Sequence, residues 1–256
     1  MRRLIPTLSI AITAALVAGC GTTSSDTGGS APSAAAPEAS KVEPVAAIRQ
    51  GMDRSLTNTV TMDASVKAGN QNITLSGKMD PTAKAIQVTG NAPEPVEARL
   101  IGDVAYIKSD SLDGSKPWMK IDLNKLKPTS TMRQSFDLKA QTGIIGGVVS
   151  AQEVSPGRYT GVADLNKAAE TAGSDGGMRE GLEATAKLAK DPAAIPFEAT
   201  LDSEGRLTAL SYTIATKSVG DLVTEMKMSG FGEPVTVKAP PANETEAASE
   251  EMYKFL

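Results

Sequence analysis

Apolar and polar residues alternate one by one along much of the chain, which is the pattern of β-strands with one buried face. Val60, Met62, Ala64 and Val66 alternate with polar residues, and turn residues such as Gly69 separate this segment from the next. The pattern predicts an antiparallel meander of six short strands. Their approximate ranges are 60–67, 73–79, 86–88, 96–101, 104–108 and 118–123.

Helical spacing predicts an amphipathic helix before this meander and several helices after it. The first runs to about Asn58, and the apolar positions of a second recur every four residues from Met132 to Val148. We predict this second helix over 131–151, although Gly143, Gly146 and Gly147 each weaken a helix by about 1 kcal/mol relative to Ala. Two further helices are predicted over 164–172 and from residue 178 to about 189.

The remaining apolar segments predict a strand near 153–162 and three closing strands. The closing strands cover 196–201, 206–214 and 221–231. Strands therefore occur in runs instead of alternating with helices. This order indicates an α+β fold and argues against a parallel βαβ fold.

The alternation also marks which strand positions point inward, and these are mostly small or medium in size. Methionine is frequent among them, and it adapts to apolar ligands of varied shape. Such a surface is compatible with a lipid-sized cavity, and it is equally compatible with an ordinary close-packed core. The candidate lining residues are Val60, Met62, Ala64, Val66, Ile73, Leu75, Met79, Ile86, Val88, Phe136, Ile144, Val148, Phe197, Ala199, Leu201, Leu210, Tyr212, Met226 and Met228.

Composition excludes several classes of function. The 256-residue chain has no His and one Cys, so His-based catalysis or metal binding, intrachain disulfides and CxxC chemistry are excluded. A net charge of −4 argues against nucleic-acid binding. The acidic residues, such as Asp63, Asp110 and Glu198, are scattered as on exposed strand faces, so we predict no catalytic or metal site, no cofactor and no enzymatic activity.

The N-terminus reads as a lipoprotein signal. Arg2 and Arg3 precede a short apolar run that is too brief to span a bilayer, and Val17-Ala18-Gly19-Cys20 looks like a bacterial lipobox. In that motif the Cys sulfur receives a diacylglyceryl group and the new N-terminus is usually acylated, which holds a protein durably on a membrane. We therefore expect Cys20 to be lipidated and the protein to sit on the extracytoplasmic face of the cell membrane.

Composition also divides the chain into four parts. We expect a signal peptide over 1–19, a lipidated flexible tether over 20–41, a folded domain over 42–238 and an acidic, disordered tail over 239–256. The tether consists mainly of small and polar residues, so it lacks the apolar side chains that a core requires.

Three segments, together with the lipobox and the tether, resemble the actinobacterial LppX/LprA/LprF/LprG lipoprotein family. They are RLIGDVAYIK from Arg99 to Lys108, KPWMKIDL from Lys116 to Leu123, and GFGEPVTVKAPP from Gly230 to Pro241. The resemblance covers about 42–241. It implies a strongly curved antiparallel sheet, a half-barrel related to the lipoprotein carriers LolA and LolB, with helices covering its concave apolar face.

The resemblance also implies a function. Members of the family are implicated in binding acylated lipids or glycolipids in an apolar cavity and carrying them across the envelope. The corresponding partners here are the membrane, an acylated lipid or glycolipid, and in addition an envelope transporter. The alternative is an interaction or regulatory module with a filled core, acting on a membrane partner.

Overall fold

The computed structural model describes residues 42–254 apart from 92–93, 111–114, 128–129, 137–142, 173–176 and 219. Cys20 and the expected signal peptide and tether lie outside the described residues. Chain contacts group Val42–Leu256 into one compact unit.

The described strands are β1 (Val60–Ala68), β2 (Gln71–Asp80), β3 (Ala85–Asn91), β4 (Pro95–Ile101), β5 (Val104–Ser109), β6 (Trp118–Asp122), β7 (Val148–Ser155), β8 (Arg158–Ala163), β9 (Ile195–Leu201), β10 (Leu207–Ile214), β11 (Leu222–Ser229) and β12 (Thr245–Ala247). They form one mixed sheet in the order β12-β6-β5-β4-β3-β2-β1-β11-β10-β9-β8-β7, so β12 and β7 are the two edges and the sheet does not close on itself. Among these described strands, only β12 pairs in parallel, with β6.

Four α-helices lie among the described residues: α1 (Pro44–Leu56), α2 (Thr131–Ser135), α3 (Leu165–Thr171) and α4 (Gly177–Leu188). Pro44 opens α1, where its missing N–H costs nothing. The Asp164 carboxylate caps α3 by accepting a hydrogen bond from Asn166 N at 2.8 Å. The α+β class predicted from the sequence is confirmed at this level, with a large mixed sheet and separate helices.

The six-strand meander forms as the alternation predicts, because consecutive strands β1 to β6 are hydrogen-bonded neighbours. Tight turns make this possible at glycines that adopt positive φ, such as Gly69 (φ 58°) between β1 and β2 and Gly102 (φ 63°) between β4 and β5.

The prediction of a single helix over 131–151 is wrong over the second half of that range. α2 ends at Ser135, residues 143–147 form a 3-10 turn, and β7 begins at Val148; Ala140 of the predicted stripe lies outside the described residues. The single strand predicted near 153–162 is instead the hairpin β7–β8. Gly143, Gly146 and Gly147 lower helix propensity, while Val148 and Val149 favour a strand.

The acidic tail differs from the disordered segment that the sequence predicts. Its residues 242–254, which we call the C-terminal strap, contain two 3-10 turns and β12. The strap lies along the free edge of β6, where Ala248 N donates to Lys120 O at 2.9 Å. Asp122 N donates to the Tyr253 hydroxyl oxygen at 2.8 Å. The strap therefore covers a sheet edge that would otherwise expose unpaired backbone groups.

The core lies between one face of the sheet and the helices. α1 packs against β7, β9 and β10, and Ile48 at its centre is fully buried. The Ser55 hydroxyl lies 2.9 Å from Leu207 O and so ties the same helix to β10. α3 packs against α4 and against the 3-10 turn, which places the helices together over the β7 end of the sheet.

Candidate functional site

Strand register brings the predicted lining residues of the sheet onto one face. Leu210 pairs with Met226, Met226 with Ala64, and Ala64 with Leu75. The remaining predicted strand positions lie on the same face of the sheet. The cross-strand pairs Val60↔Met79 and Phe197↔Tyr212 are examples. We call this surface the apolar face. The alternation in the sequence therefore identified the members of this face correctly on all six strands involved, β1, β2, β3, β9, β10 and β11.

Many of these residues are packed tightly instead of lining open space. On the sheet, Val60, Met79, Ile86, Phe197, Ala199, Leu201, Leu210 and Met228 are buried. Ile144 in the 3-10 turn and Val148 at the start of β7 are buried as well, and Phe136, just after α2, is half-buried against the core. Helices and neighbouring strands already fill the space beside these positions.

The centre of the apolar face is only partly covered. A patch on β11, β1, β2 and β3 consists of half-buried residues and of Leu75, whose exposed fraction is 37 %. We call it the apolar strip, and its members are Met62, Ala64, Val66, Ile73, Leu75, Val88 and Met226. With strands about 4.8 Å apart, four strands span about 14 Å.

The chemistry of the apolar strip is that of a hydrocarbon surface. None of its side chains carries a charge, and a hydroxyl pair lies at one end, where Tyr212 is paired with Thr224 and Thr224 with Val66. Burial raises the pKa of Tyr212, and a hydrogen bond with the Thr224 side chain partly opposes this shift. The strip can therefore bind an acyl chain, with one polar contact at its end.

The opposite face of the sheet carries the polar positions and also two grooves. One is an open groove of about 670 Å³ across β7–β11, and the other, of about 420 Å³, crosses β11 and β1–β3. Glu225 lines both, and Ala64 and Leu75 of the apolar strip also line the smaller one. The sequence pattern predicts these positions as solvent-exposed strand faces and does not indicate the grooves. Alternation identifies the outward residues, but only the register shows which of them share a row.

Two kinds of feature are absent from the described residues. In the part of the chain that the structure describes, no group of three His, Cys, Asp or Glu side chains is placed to hold a metal ion. Within the same residues, no helix combines the length and the apolarity needed to cross a membrane.

Comparison with known proteins leaves the family unidentified. No family model matches the chain, and no curated protein matches it. Among solved structures, the sheet is similar to an uncharacterized conserved protein from Thermus thermophilus, with 8 % identity, a TM-score of 0.39, and coverage of 78 % of this chain and 97 % of that one. It is also similar to the Pseudomonas aeruginosa MucA/MucB complex, with 13 % identity, a TM-score of 0.31, and coverage of 78 % and 59 %.

Proposed function

We propose that this protein is a membrane-anchored lipoprotein that binds an acyl chain of a lipid or glycolipid against the apolar strip and carries it within the cell envelope. The observation that carries this proposal is the incomplete cover of the strip in the middle of an otherwise buried face. An exposed apolar patch in a soluble domain is typical of a binding surface.

Several features support the proposal. The lipobox at Cys20 would attach the protein to the membrane, and the tether to residue 41 would let the domain extend away from it. In this proposal the sheet is a half-barrel with the apolar face on its concave side, as in the family that the sequence resembles. Each methylene group of a bound chain would contribute about 0.8 kcal/mol when it leaves water.

The strip's own residues have distinct roles in this proposal. Met62, two residues from Ala64 along β1, and Met226, the partner of Ala64 on β11, have flexible side chains that can follow the shape of an acyl chain. Ala64 leaves space above the centre of the strip because its side chain is small. The Tyr212–Thr224 pair at the end can donate a hydrogen bond to an ester or headgroup oxygen.

The test uses the full-length chain carrying Cys20→Ala, so that lipid detected with the protein is bound and not covalently attached. Native mass spectrometry after expression in an envelope-bearing host should show a stoichiometric acyl lipid. Binding of the fluorescent fatty acid cis-parinaric acid should then be at least tenfold weaker for Ala64→Trp, because the indole occupies the strip.

The matched control is Lys78→Trp, which adds the same ring at an exposed position on the opposite face and should leave binding unchanged. Ala199→Trp is unsuitable, since Ala199 is buried in the core and the variant would misfold. Equal binding by Ala64→Trp and by the unsubstituted chain would rule out the strip as the site.

A second candidate is an interaction module with a filled core that acts on a membrane partner. The tight packing of the core residues beside the strip favours it. If the native mass of the protein corresponds to the chain without lipid, and stays unchanged after incubation with host lipid extract, this alternative is favoured over a lipid carrier.

A further inference from the structure

A row of polar side chains crosses five adjacent strands on the face opposite the apolar strip. Register pairs Thr160 with Glu198, Glu198 with Ser211, Ser211 with Glu225, and Glu225 with Ser65. We call these five residues the polar ladder. At a strand spacing of about 4.8 Å the ladder extends for about 19 Å. It runs along the larger groove, which Thr160, Glu198, Ser211 and Glu225 line, and Ser65 continues it into the smaller one.

The ladder's side chains have no partners within the part of the protein that the structure describes. None of the five makes a side-chain hydrogen bond or an ion pair there, whereas neighbours on the same face satisfy one another. Ser76, for example, donates to Asp63 at 2.6 Å, and Thr74 donates to Asn91 at 2.8 Å. The grooves therefore hold a line of three hydroxyls and two carboxylates free to bind a ligand.

Two flanking rows restrict the chemistry of that ligand. On one side, the side chains offer methyl and methylene groups that line the same groove, namely Val162, Pro196, Thr213 and Val223. On the other side, register places Arg158, Lys227 and Asp63, which carry charges of both signs. Mixed charges do not favour a ligand of high net charge, and the methyl row requires a ligand with apolar surface as well as polar edges.

From this arrangement we infer that the two grooves form a binding site for a neutral oligosaccharide lying across the strands. Sugar hydroxyls donate to carboxylates and both donate to and accept from Ser and Thr hydroxyls, while the C–H faces of the rings contact methyl groups. A sugar chain also presents polar groups at regular intervals, as the ladder does. This inference does not rest on the proposed lipid function, because the two sites are on opposite faces of the sheet.

The test measures binding by isothermal titration calorimetry with the full-length Cys20→Ala chain. The ligands are cellohexaose, maltohexaose and chitohexaose, with hexalysine as the cationic comparison. At least one of the sugars should bind. Glu225→Gln, which keeps the side-chain shape, should weaken that binding at least fivefold, and Ser211→Trp should abolish it by filling the groove.

Two variants serve as controls for this test. Lys78→Trp lies on the same face outside both grooves, and Val66→Trp lies on the apolar strip at a residue that lines neither groove; both should bind the sugar as the unsubstituted chain does. If Ser211→Trp fails to fold, the weaker binding expected of Glu225→Gln is enough to test the site. Binding of hexalysine but of none of the sugars would overturn the inference in favour of a cationic peptide, and so would failure of all four ligands to bind.

Discussion

The guanidinium carbon of Arg99 lies 4.5 Å from the centroid of the Trp118 ring, at the start of β6. The same guanidinium donates to Glu97 at 2.7 Å and to Lys238 O at 2.8 Å. Arg99 thus joins β4, β6 and the segment leading to the C-terminal strap. Trp118 is buried at a strand start, as one expects of an anchor residue.

Arg99→Ala should lower the free energy of unfolding by about 2 kcal/mol, since it removes a cation–π contact and three charge-assisted hydrogen bonds, two to Glu97 and one to Lys238 O. Urea unfolding can be followed by the fluorescence of Trp118, the chain's single tryptophan. Arg158→Ala is the control, because Arg158 is exposed and forms no ion pair among the described residues; its effect should stay within about 0.5 kcal/mol. Equal effects of the two variants would contradict this role for Arg99.

Gly147 should tolerate no side chain. A Cβ atom there would overlap Asp164 O and lie 2.8 Å from the Ala168 Cβ, so we expect Gly147→Ala to cost about 3 kcal/mol or to prevent folding. Gly181 on α4 has open space around it, and Gly181→Ala should raise the free energy of unfolding by about 0.5–1 kcal/mol. Thermal unfolding of both variants checks the contrast, and a stable Gly147→Ala protein would mean that the 3-10 turn and α3 are not in close contact.

Replacing Leu210 or Leu75 of the apolar face by alanine should lower the free energy of unfolding by different amounts. Leu210→Ala should lower the free energy of unfolding by about 2–5 kcal/mol, because Leu210 is 5 % exposed and its removal leaves a cavity. Leu75→Ala should cost less than about 1.5 kcal/mol, since Leu75 is 37 % exposed. Chemical denaturation of the full-length chain measures both values. A similar cost at the two positions would show that the apolar strip is covered as completely as the core.

Acid should release the C-terminal strap before the rest of the domain unfolds. The Ser115 hydroxyl donates to Glu246 at 2.6 Å, and with the backbone N–H groups of Ser115 and Lys116 it lowers the pKa of Glu246. A carboxylate with a lowered pKa stabilises the folded state above its ordinary pKa, and this contribution disappears as the pH falls through the lowered value.

Hydrogen exchange at the Ala248 amide, which bonds to Lys120 O, should therefore accelerate in acid, relative to its intrinsic rate, while core amides stay protected. Glu246→Gln should show fast exchange already at neutral pH. Glu244→Gln is the control, because Glu244 is exposed and its carboxylate has no partner in the described structure. An exchange rate at Ala248 that follows the core amides at every pH would argue against independent release of the strap.

The sequence by itself determined the meander and the membership of the apolar face. A side chain that alternates with polar neighbours has only two directions to point, so the period of two assigns Val60, Ala64 and Leu75 to one face without further information. Helix α1 follows from equally local spacing, and the signal, the tether and the Cys20 anchor are sequence predictions that lie outside the described residues.

Only the tertiary structure decided how much of each face is covered and which residues share a row. Ala199 is buried and Leu75 is exposed because of where α1 and its neighbours pack on the sheet. A local sequence pattern does not predict that packing. The alignment of Glu198, Ser211 and Glu225 depends on the register of three strands that are separated along the chain. The tail lacks a strand-like hydrophobic pattern. It is ordered because the free edge of β6 supplies backbone partners and because Ala248, Met252 and Tyr253 pack against the core, so its structure depends on the rest of the fold.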